Sequence, residues 1–371
     1  MKISVIIVSY HAAGFLEQTL FSLIKATGNH NVEIIVSDNS SDNEIENLIT
    51  SRFSGVRYIY NENNPGYAKA NNRGYQLSTG ELILFLNPDT IVPEDFFDKI
   101  LSFFQSHAQI GAAGVKMIDG AGNFLPESKR NIPGLWNSFT KSTGLSYVFP
   151  RSKIFSGYYR NDILEDANGE IEVLSGACFF VRKEVLIKTG GFDERFFMYA
   201  EDIDLSYRIL KEGYKIFYLG DISIIHFKGE SSKKDKTYFS RFYGAMELFV
   251  EKHYPPVAAF FLKLSIKIRA GFSGIKITQK PKDFQNKLNY KFIGDVDSAE
   301  EARKILNNES NNSGETNVIV LCEGKNFSFK DLIDKMIENP GQKFLIHAKS
   351  SASVAGSFDK NTQGLVFPVK T

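Results

Sequence analysis

The sequence predicts an α/β protein: a Rossmann-like, mostly parallel central sheet with helices on both faces, followed by a small C-terminal α/β domain. Three observations predict it. Apolar, β-branched runs alternate with amphipathic stretches from Ile3 to Leu86. The runs Ile3–Val8 and Leu82–Leu86 are unbroken, as in strands buried on both faces. After Tyr254-Pro255-Pro256 the character changes, and a second alternation begins near Tyr290. A chain of 371 residues accommodates two or three domains. The boundaries predicted are 1–254 for the large domain, 255–289 for a basic helical linker and 290–371 for the small domain.

The elements follow in order. Ile3 to Val8 is the first strand, and Ala12 to Lys25 carries Phe15, Leu16, Leu20, Leu23 and Ile24 at helical spacing. Val32 to Val36 is a second strand, stopped by the turn-rich Ser37-Asp38-Asn39-Ser40-Ser41-Asp42. A helix over Glu44–Phe53, a strand over Val56–Tyr60, a helix over Tyr67–Leu77 and a strand over Leu82–Leu86 complete the first alternation. This rhythm lays strands side by side in parallel, and such sheets bind ligands at the carboxyl ends of their strands. Those ends are Ser9-Tyr10, Asp38 and Asn87-Pro88-Asp89. From about Asp119 to Glu170, Gly and Pro punctuate scattered aromatics, which reads as an insertion shaping an acceptor cleft. Val173-Leu174 and Ala177–Val181 read as strand, Lys183–Thr189 as a helix ended by Gly190-Gly191, and Glu201–Lys211 as a helix stopped at Gly213. Ile216–Leu219 and Ile222–Ile225 read as two short strands. In the small domain, Phe292–Asp295 is a strand and turn. Ser298–Leu306 is a helix capped by Ser298, Asn307–Thr316 a polar loop and Val318–Cys322 a strand. Phe329–Ile337 is a helix, Phe344–His347 a strand, and the tail from Lys349 is loop-like.

Charge and cysteine content exclude several classes. With 44 Lys+Arg against 43 Asp+Glu, a net charge of +1 argues against a nucleic-acid binder. Cys178 and Cys322 cannot staple this chain and read as reduced thiols of a cytoplasmic protein. No apolar run approaches the roughly 20 residues of a membrane span, and Ile3–Val8 is too short for a signal peptide. The near-neutrality hides a basic segment. Residues 263–291 hold eight basic groups against the single acid Asp283. From Val257 to Phe272 this charge is interleaved with Phe260, Phe261, Leu262, Leu264, Ile266 and Ile268. Two uses fit it: a cationic amphipathic helix lying on an anionic membrane surface, peripheral on the inner membrane, or a helix packing the C-terminal domain with its lysines solvated.

Four segments can carry chemistry. Asp38 ends the second strand, where a carboxylate accepts bonds from a nucleobase imide or ribose hydroxyl, or builds an Asx-turn into the next helix. Gly66-Tyr67-Ala68-Lys69-Ala70-Asn71-Asn72-Arg73-Gly74 lacks the glycine spacing of a phosphate-cradling loop, and no G-x-G-x-x-G follows the first strand, so a dinucleotide-binding enzyme is disfavoured. At Asn87-Pro88-Asp89 the proline forces a turn that presents Asp89 at the ligand edge of the sheet. There it either binds a hard divalent cation or simply ends the strand. On the helix Glu201–Lys211, Asp204 stands four residues before Arg208 as an ordinary ion pair. Asp202 falls on the side of Leu205 and Ile209, has no such partner and is expected to face inward with raised proton affinity, as suits a general base. The alternative is that these acids complement the helix N-terminus. His226 follows an apolar strand beside Lys228 and Ser231, either as a satisfied core histidine or as part of an anion site.

Taken together and in this order, VIIVSY, SDNSSD, NPGYAKANNRG, LFLNPDT, LSGACFFVRKEVLIKTGGFDERFFMYAEDIDLSYR and IIHFKGESS resemble the inverting family 2 glycosyltransferases of GT-A fold, in particular the bacterial rhamnosyltransferase-like enzymes of surface polysaccharide assembly. The resemblance covers residues 1 to about 250. It implies that Asp38 contacts the nucleobase of a nucleotide-diphosphate sugar, with Ser9 and Tyr10 lining the pocket and Gly66 and Asn72 near the nucleotide. It places Asp89 at the second acidic position of a DxD motif, binding Mg²⁺ or Mn²⁺, with His226 as the other protein ligand and Lys228 and Ser231 near the diphosphate. Asp202 matches the catalytic base of the ED motif, Glu201 lies on the acceptor side, and the acceptor is a saccharide or lipid-linked saccharide. Asn87 departs from the pattern, standing where many members carry the first Asp of DxD and removing one charge from the metal site. A sugar-phosphate nucleotidylyltransferase would show a Gly-rich basic loop that Ser9-Tyr10-His11-Ala12-Ala13-Gly14 lacks. A nucleotide-sugar-binding scaffold with a degenerate transferase domain is the reading from a different class.

Overall fold

The two unbroken apolar runs become the centre of the sheet. In the computed structural model, β1 (Ile3–Ser9) pairs in parallel with both β2 (Val32–Asp38) and β4 (Leu82–Leu86), and β2 with β3 (Arg57–Tyr60). Every residue of β4 is fully buried. The structure describes residues 1–134, 158–228, 236–273, 288–306, 318–358 and 364–369. Ser231, Lys276, Lys280, Lys282, Lys287, the loop Asn307–Thr316 and the middle of the 119–170 insertion lie outside the described residues.

Helices α1 (Ala13–Thr27), α2 (Glu44–Arg52) and α3 (Tyr67–Gln76) alternate with these strands as expected. The sheet then continues with elements that the early alternation does not contain: β5 (Thr90–Ile91), α4 (Phe96–Ser106) and β6 (Ile110–Ile118). β7 (Gly169–Ile171), β8 (Cys178–Arg182), α5 (Lys183–Thr189), α6 (Glu201–Lys211) and β9 (Lys215–His226) follow. The nine-stranded sheet runs β3-β2-β1-β4-β8-β6-β9-β5, with β7 on the side of β9. β3, β2, β1, β4, β6 and β9 share one direction and β8, β5 and β7 oppose it, so the carboxyl ends of β1, β2, β4 and β9 meet at one edge. The two short strands expected over 216–225 are one. The residues between them are a bulge, where partners jump from Val115–Leu219 to Lys116–Ser223.

Two helices, α7 (Lys236–His253) and α8 (Pro256–Ser273), pack against each other and against α6. The small domain is a five-stranded sheet ordered β10 (Tyr290–Gly294), β11 (Val318–Glu323), β12 (Phe344–Ala348), β13 (Ser353–Gly356) and β14 (Leu365–Pro368), with helices α9 (Val296–Ile305) and α10 (Phe329–Glu338). Two expectations are corrected. The cap of α9 is Asp295, whose carboxylate accepts from Ser298 N; the Ser298 hydroxyl is itself buried inside the first turn. The tail after Lys349 is a hairpin of β13 and β14 that extends the sheet.

The small domain is fused to the large one. Leu321, Phe329, Leu332, Met336 and Phe344 share a single core with Phe15 of α1, Ile91, and Ile225 and Phe227 at the end of β9. Polar groups of the large domain reach across. Gln18 exchanges bonds with Ser353 O and Ala348 N, both 3.0 Å, and Glu94 accepts from Phe329 N and Lys330 N at 2.8 and 3.0 Å, capping α10. Lys25 pairs with the buried Glu323, and Arg52 donates to Ser350 O.

Candidate active site

Each predicted residue sits where the sheet places it. Ser9 and Asp38 are register partners at the ends of β1 and β2. Asp38 is fully buried: Oδ1 accepts from Ser40 N at 2.8 Å, which is the Asx-turn, and Oδ2 from Tyr58 OH at 3.0 Å. Burial first, and then the bond to this carboxylate, push the Tyr58 phenol well above its ordinary range. The Ser9 hydroxyl is buried with no hydrogen-bond partner among the described residues, whereas the Tyr10 ring stands in solvent, edge-on to His11. Gly66 (φ +93°) begins α3, and a Cβ there would lie 2.5 Å from Phe197 O, so only glycine fits. The Asn72 amide donates to Phe192 O at 2.8 Å and accepts from Phe192 N at 2.9 Å, so it clamps the 191–194 turn onto α3.

The Asn87-Pro88-Asp89 turn and the end of β9 form the second cluster. β5 pairs Thr90 with His226, which brings the buried Asp89 and His226 side by side, with Nε2 and Oδ1 3.5 Å apart. Asp89 Oδ2 accepts from Lys228 N at 3.1 Å. His226 Nδ1 is buried without a partner among the described residues. An imidazole and a carboxylate so placed suit Mg²⁺ or Mn²⁺ whose remaining ligands come from a substrate diphosphate. Among the described residues no three His, Cys, Asp or Glu side chains are grouped to hold a metal unaided. The ammonium of Lys228 rests against Glu127, from a 3₁₀ turn in the insertion, which has no counterpart in the sequence reading. Burial alone would raise the Glu127 carboxyl; Lys228 outweighs it and holds the group below its ordinary value.

Asn87 joins this cluster to the third. Its Oδ1 accepts from Tyr67 OH at 3.2 Å, and its Nδ2 lies 3.2 Å from His226 Nε2. Tyr67 OH also lies 2.9 Å from Gly176 O, and Gly176 N donates to Asp202 Oδ2 at 3.1 Å. A continuous polar chain thus runs from Asp202 through Gly176, Tyr67 and Asn87 to His226 and Asp89.

The acids of α6 differ from expectation. Tyr199 and Ala200 take left-handed conformations, φ +73° and +61°, a strained entry that sets the helix start. Asp202 does have a partner: Arg130, from the insertion, donates to Oδ2 at 2.6 Å. Arg130 is itself buried, bonded to Leu174 O and to Tyr158 OH at 3.0 Å. The carboxyl with raised proton affinity is Glu201. Burial and then the neighbouring charge of Asp202 push it up to about 8, and its Oε2 is buried with no partner among the described residues. Asp204 is no ordinary surface pair. It is fully buried and bound by Arg208 at 2.8 Å, Lys252 at 2.7 Å and His253 at 2.6 Å, which ties α6 to α7. Burial would raise the Asp204 carboxyl, and these bonds outweigh it, holding the group below its ordinary value.

The model of glycosyl transferase family 2 matches residues 4–190. The N-acetylglucosaminyl-diphospho-decaprenol L-rhamnosyltransferase of Mycobacterium tuberculosis is 30% identical over 243 residues, 62% of this chain and 78% of that protein. The rhamnosyltransferase WbbL of Escherichia coli K12 is 26% identical over 246 residues, 64% and 86% of the two chains. Among solved structures, the mannosyltransferase PcManGT of Pyrobaculum calidifontis, in complex with GDP-Man and Mn²⁺, is 16% identical over 76% of each chain with a TM-score of 0.47.

Proposed function

The chain belongs to glycosyl transferase family 2 and is a glycosyltransferase, and from that premise we propose that it moves a sugar from a nucleotide-diphosphate donor to a lipid-linked saccharide, with inversion, in bacterial surface polysaccharide assembly. The observation that carries this reading is the polar chain that places Asp202 on one side of Tyr67 and Asn87 and the Asp89–His226 pair on the other. A lipid-linked acceptor is supported by the name of the mycobacterial relative, whose acceptor is a diphospho-decaprenol.

In this reading Asp202 is the general base. Its Oδ2 already accepts from Arg130 and Gly176 N, and among the described residues Oδ1 accepts only from Ile203 N at 2.8 Å. A free lone pair therefore remains on Oδ1, and there the acceptor hydroxyl proton is held. The hydroxyl oxygen bonds to the anomeric carbon as that carbon's bond to the diphosphate oxygen breaks on the opposite face. The transition state is oxocarbenium-like, one displacement inverts the centre, and no enzyme nucleophile is needed. Arg130 fixes the rotamer of the base. Asp89 and His226 are the residues that would hold Mg²⁺ or Mn²⁺, which when bound neutralises charge developing on the departing diphosphate. Ser9, Tyr10 and the turn braced by Asp38 border the nucleotide, with Lys228 at the diphosphate side and Glu201 toward the acceptor.

A thermal-shift screen of nucleotide-sugars with and without Mn²⁺ tests the donor reading: one nucleotide class raises the melting temperature, and more so with the ion. Asp202→Asn keeps that shift and loses transfer by about 10²–10⁴-fold. Transfer near the wild-type rate would remove Asp202 as the base. A shift without transfer from any donor would favour the scaffold reading.

A further inference from the structure

Helix α8 has two apolar faces, and among the described residues only one of them is covered. Ala259, Leu262 and Ile266 pack against Ala245, Phe249 and Val250 of α7. Val257, Phe260, Phe261 and Leu264 recur at i, i+3, i+4 and i+7, and they are 72%, 64%, 55% and 46% exposed. Four large apolar side chains in one solvent-facing stripe are unusual on a monomer surface and mark an interaction site. Lys263 and Lys267 run along one flank, and with Phe260 and Leu264 they border a groove of about 350 Å³ between α7 and α8. Glu251 meets Lys263 at the rim of that groove. In sequence the positive charge continues: from Lys263 to Lys291 there are eight basic residues and one acid. Among the described residues no helix is long and apolar enough to cross a membrane.

We infer that α8 docks in the plane of an anionic phospholipid surface, with Val257, Phe260, Phe261 and Leu264 seated among the acyl chains and Lys263 and Lys267 at the lipid phosphates. Charge decides for a membrane over a second copy of this chain, because two copies would bring the basic flanks together, whereas an anionic leaflet neutralises them. The geometry is that of an interfacial helix: an apolar stripe down, lysine stems reaching to the headgroups, and a protein body held on the opposite face by α7. The inference extends the reading of a lipid-linked acceptor by holding the enzyme where such an acceptor resides. Its test uses neither donor nor acceptor, so the two can fail separately.

The full chain is sedimented with vesicles of phosphatidylcholine alone and with vesicles that also contain phosphatidylglycerol, across a salt titration. Wild type partitions to the phosphatidylglycerol vesicles, and salt releases it. Lys263→Ser with Lys267→Ser lowers the partition roughly thirtyfold at low salt. Phe260→Ser with Phe261→Ser lowers the partition at low salt at least as far, because the two rings no longer enter the acyl chains. These side chains are exposed, so the melting temperature and any nucleotide-sugar shift stay at wild-type values, which separates loss of docking from loss of fold. Equal recovery with and without phosphatidylglycerol, or partition unchanged in both double variants, overturns the inference. So does a wild-type dimer in analytical ultracentrifugation that Phe260→Ser with Phe261→Ser makes monomeric without any vesicle binding, which would assign the stripe to a second copy.

Discussion

Glu201 and Asp202 are adjacent carboxyls with opposite surroundings: one buried beside a like charge, the other bound by a guanidinium. The raised Glu201 has a consequence for stability. Its folded value of about 8 exceeds the unfolded 4.5, so the folded state holds the extra proton between these values. Its contribution is complete below pH 4.5 and is lost as pH rises through 8. Glu201→Gln removes that dependence. Melting curves from pH 4.5 to 8.5 are expected to converge at the acid end and to favour the variant at the alkaline end, by a few kcal/mol. Asn87 is a second residue whose identity matters. Its amide can face both the Tyr67 hydroxyl and His226 Nε2, whereas a carboxylate offers no donor to an imidazole lone pair. The departure from DxD thus sets a hydrogen-bonding amide between Tyr67 and His226. The cysteines are inert for a simple reason. Burial raises the Cys322 thiol to about 12 and Cys178 further, so a native-state thiol titration should label neither until denaturant is added.

At the scale of elements, α6 serves two masters. Its first turn carries the Glu201-Asp202 pair, and its buried Asp204 anchors α7 through Lys252 and His253. Asp204→Ala leaves Arg208, Lys252 and His253 without their shared anion, and chemical denaturation should show a loss of about 3–5 kcal/mol. Much of this architecture was legible from periodicity. Lys183–Thr189 and Glu201–Lys211 begin and end where the glycine stops and apolar spacing placed them. Arg130 and Glu127 were not legible. They come from a stretch with no period, and their partners are more than seventy residues away. In sequence, Asp204 and Arg208 stand at i, i+4, and an ordinary ion pair accounts for both. Only the packing of α7 reveals that the pair is buried. The tail is not legible because Ser353–Gly356 and Leu365–Pro368 are too short to show alternation and become strands only as β13 pairs with β12 and β14 with β13.

At the scale of the whole molecule, the two sheets share a core, and that core includes Ile225 and Phe227 on either side of His226. Phe227, next to His226, is buried against Phe15 with ring centroids 5.1 Å apart and belongs to the same cluster as Leu332 and Met336 of α10. Calorimetry should therefore record one cooperative transition for the two sheets. Leu332→Ala should cost about 2–5 kcal/mol and should also weaken the Mn²⁺-dependent nucleotide-sugar shift, although Leu332 lies on the small domain. Two transitions, or a stability loss with donor binding unchanged, would show that the small domain is not a support for β9.

This shared core also bears on how the chain is made. Translation delivers β9 and His226 before α10, by on the order of ten seconds at ordinary elongation rates. During that interval the nascent chain carries the groups proposed to hold and transfer the sugar, yet the apolar underside of the strand bearing His226 is uncovered. The floor beneath β9 is closed late, when α10 emerges, and until then Ile225 and Phe227 have only the half of their cluster that Phe15, Ile91 and Ile118 supply.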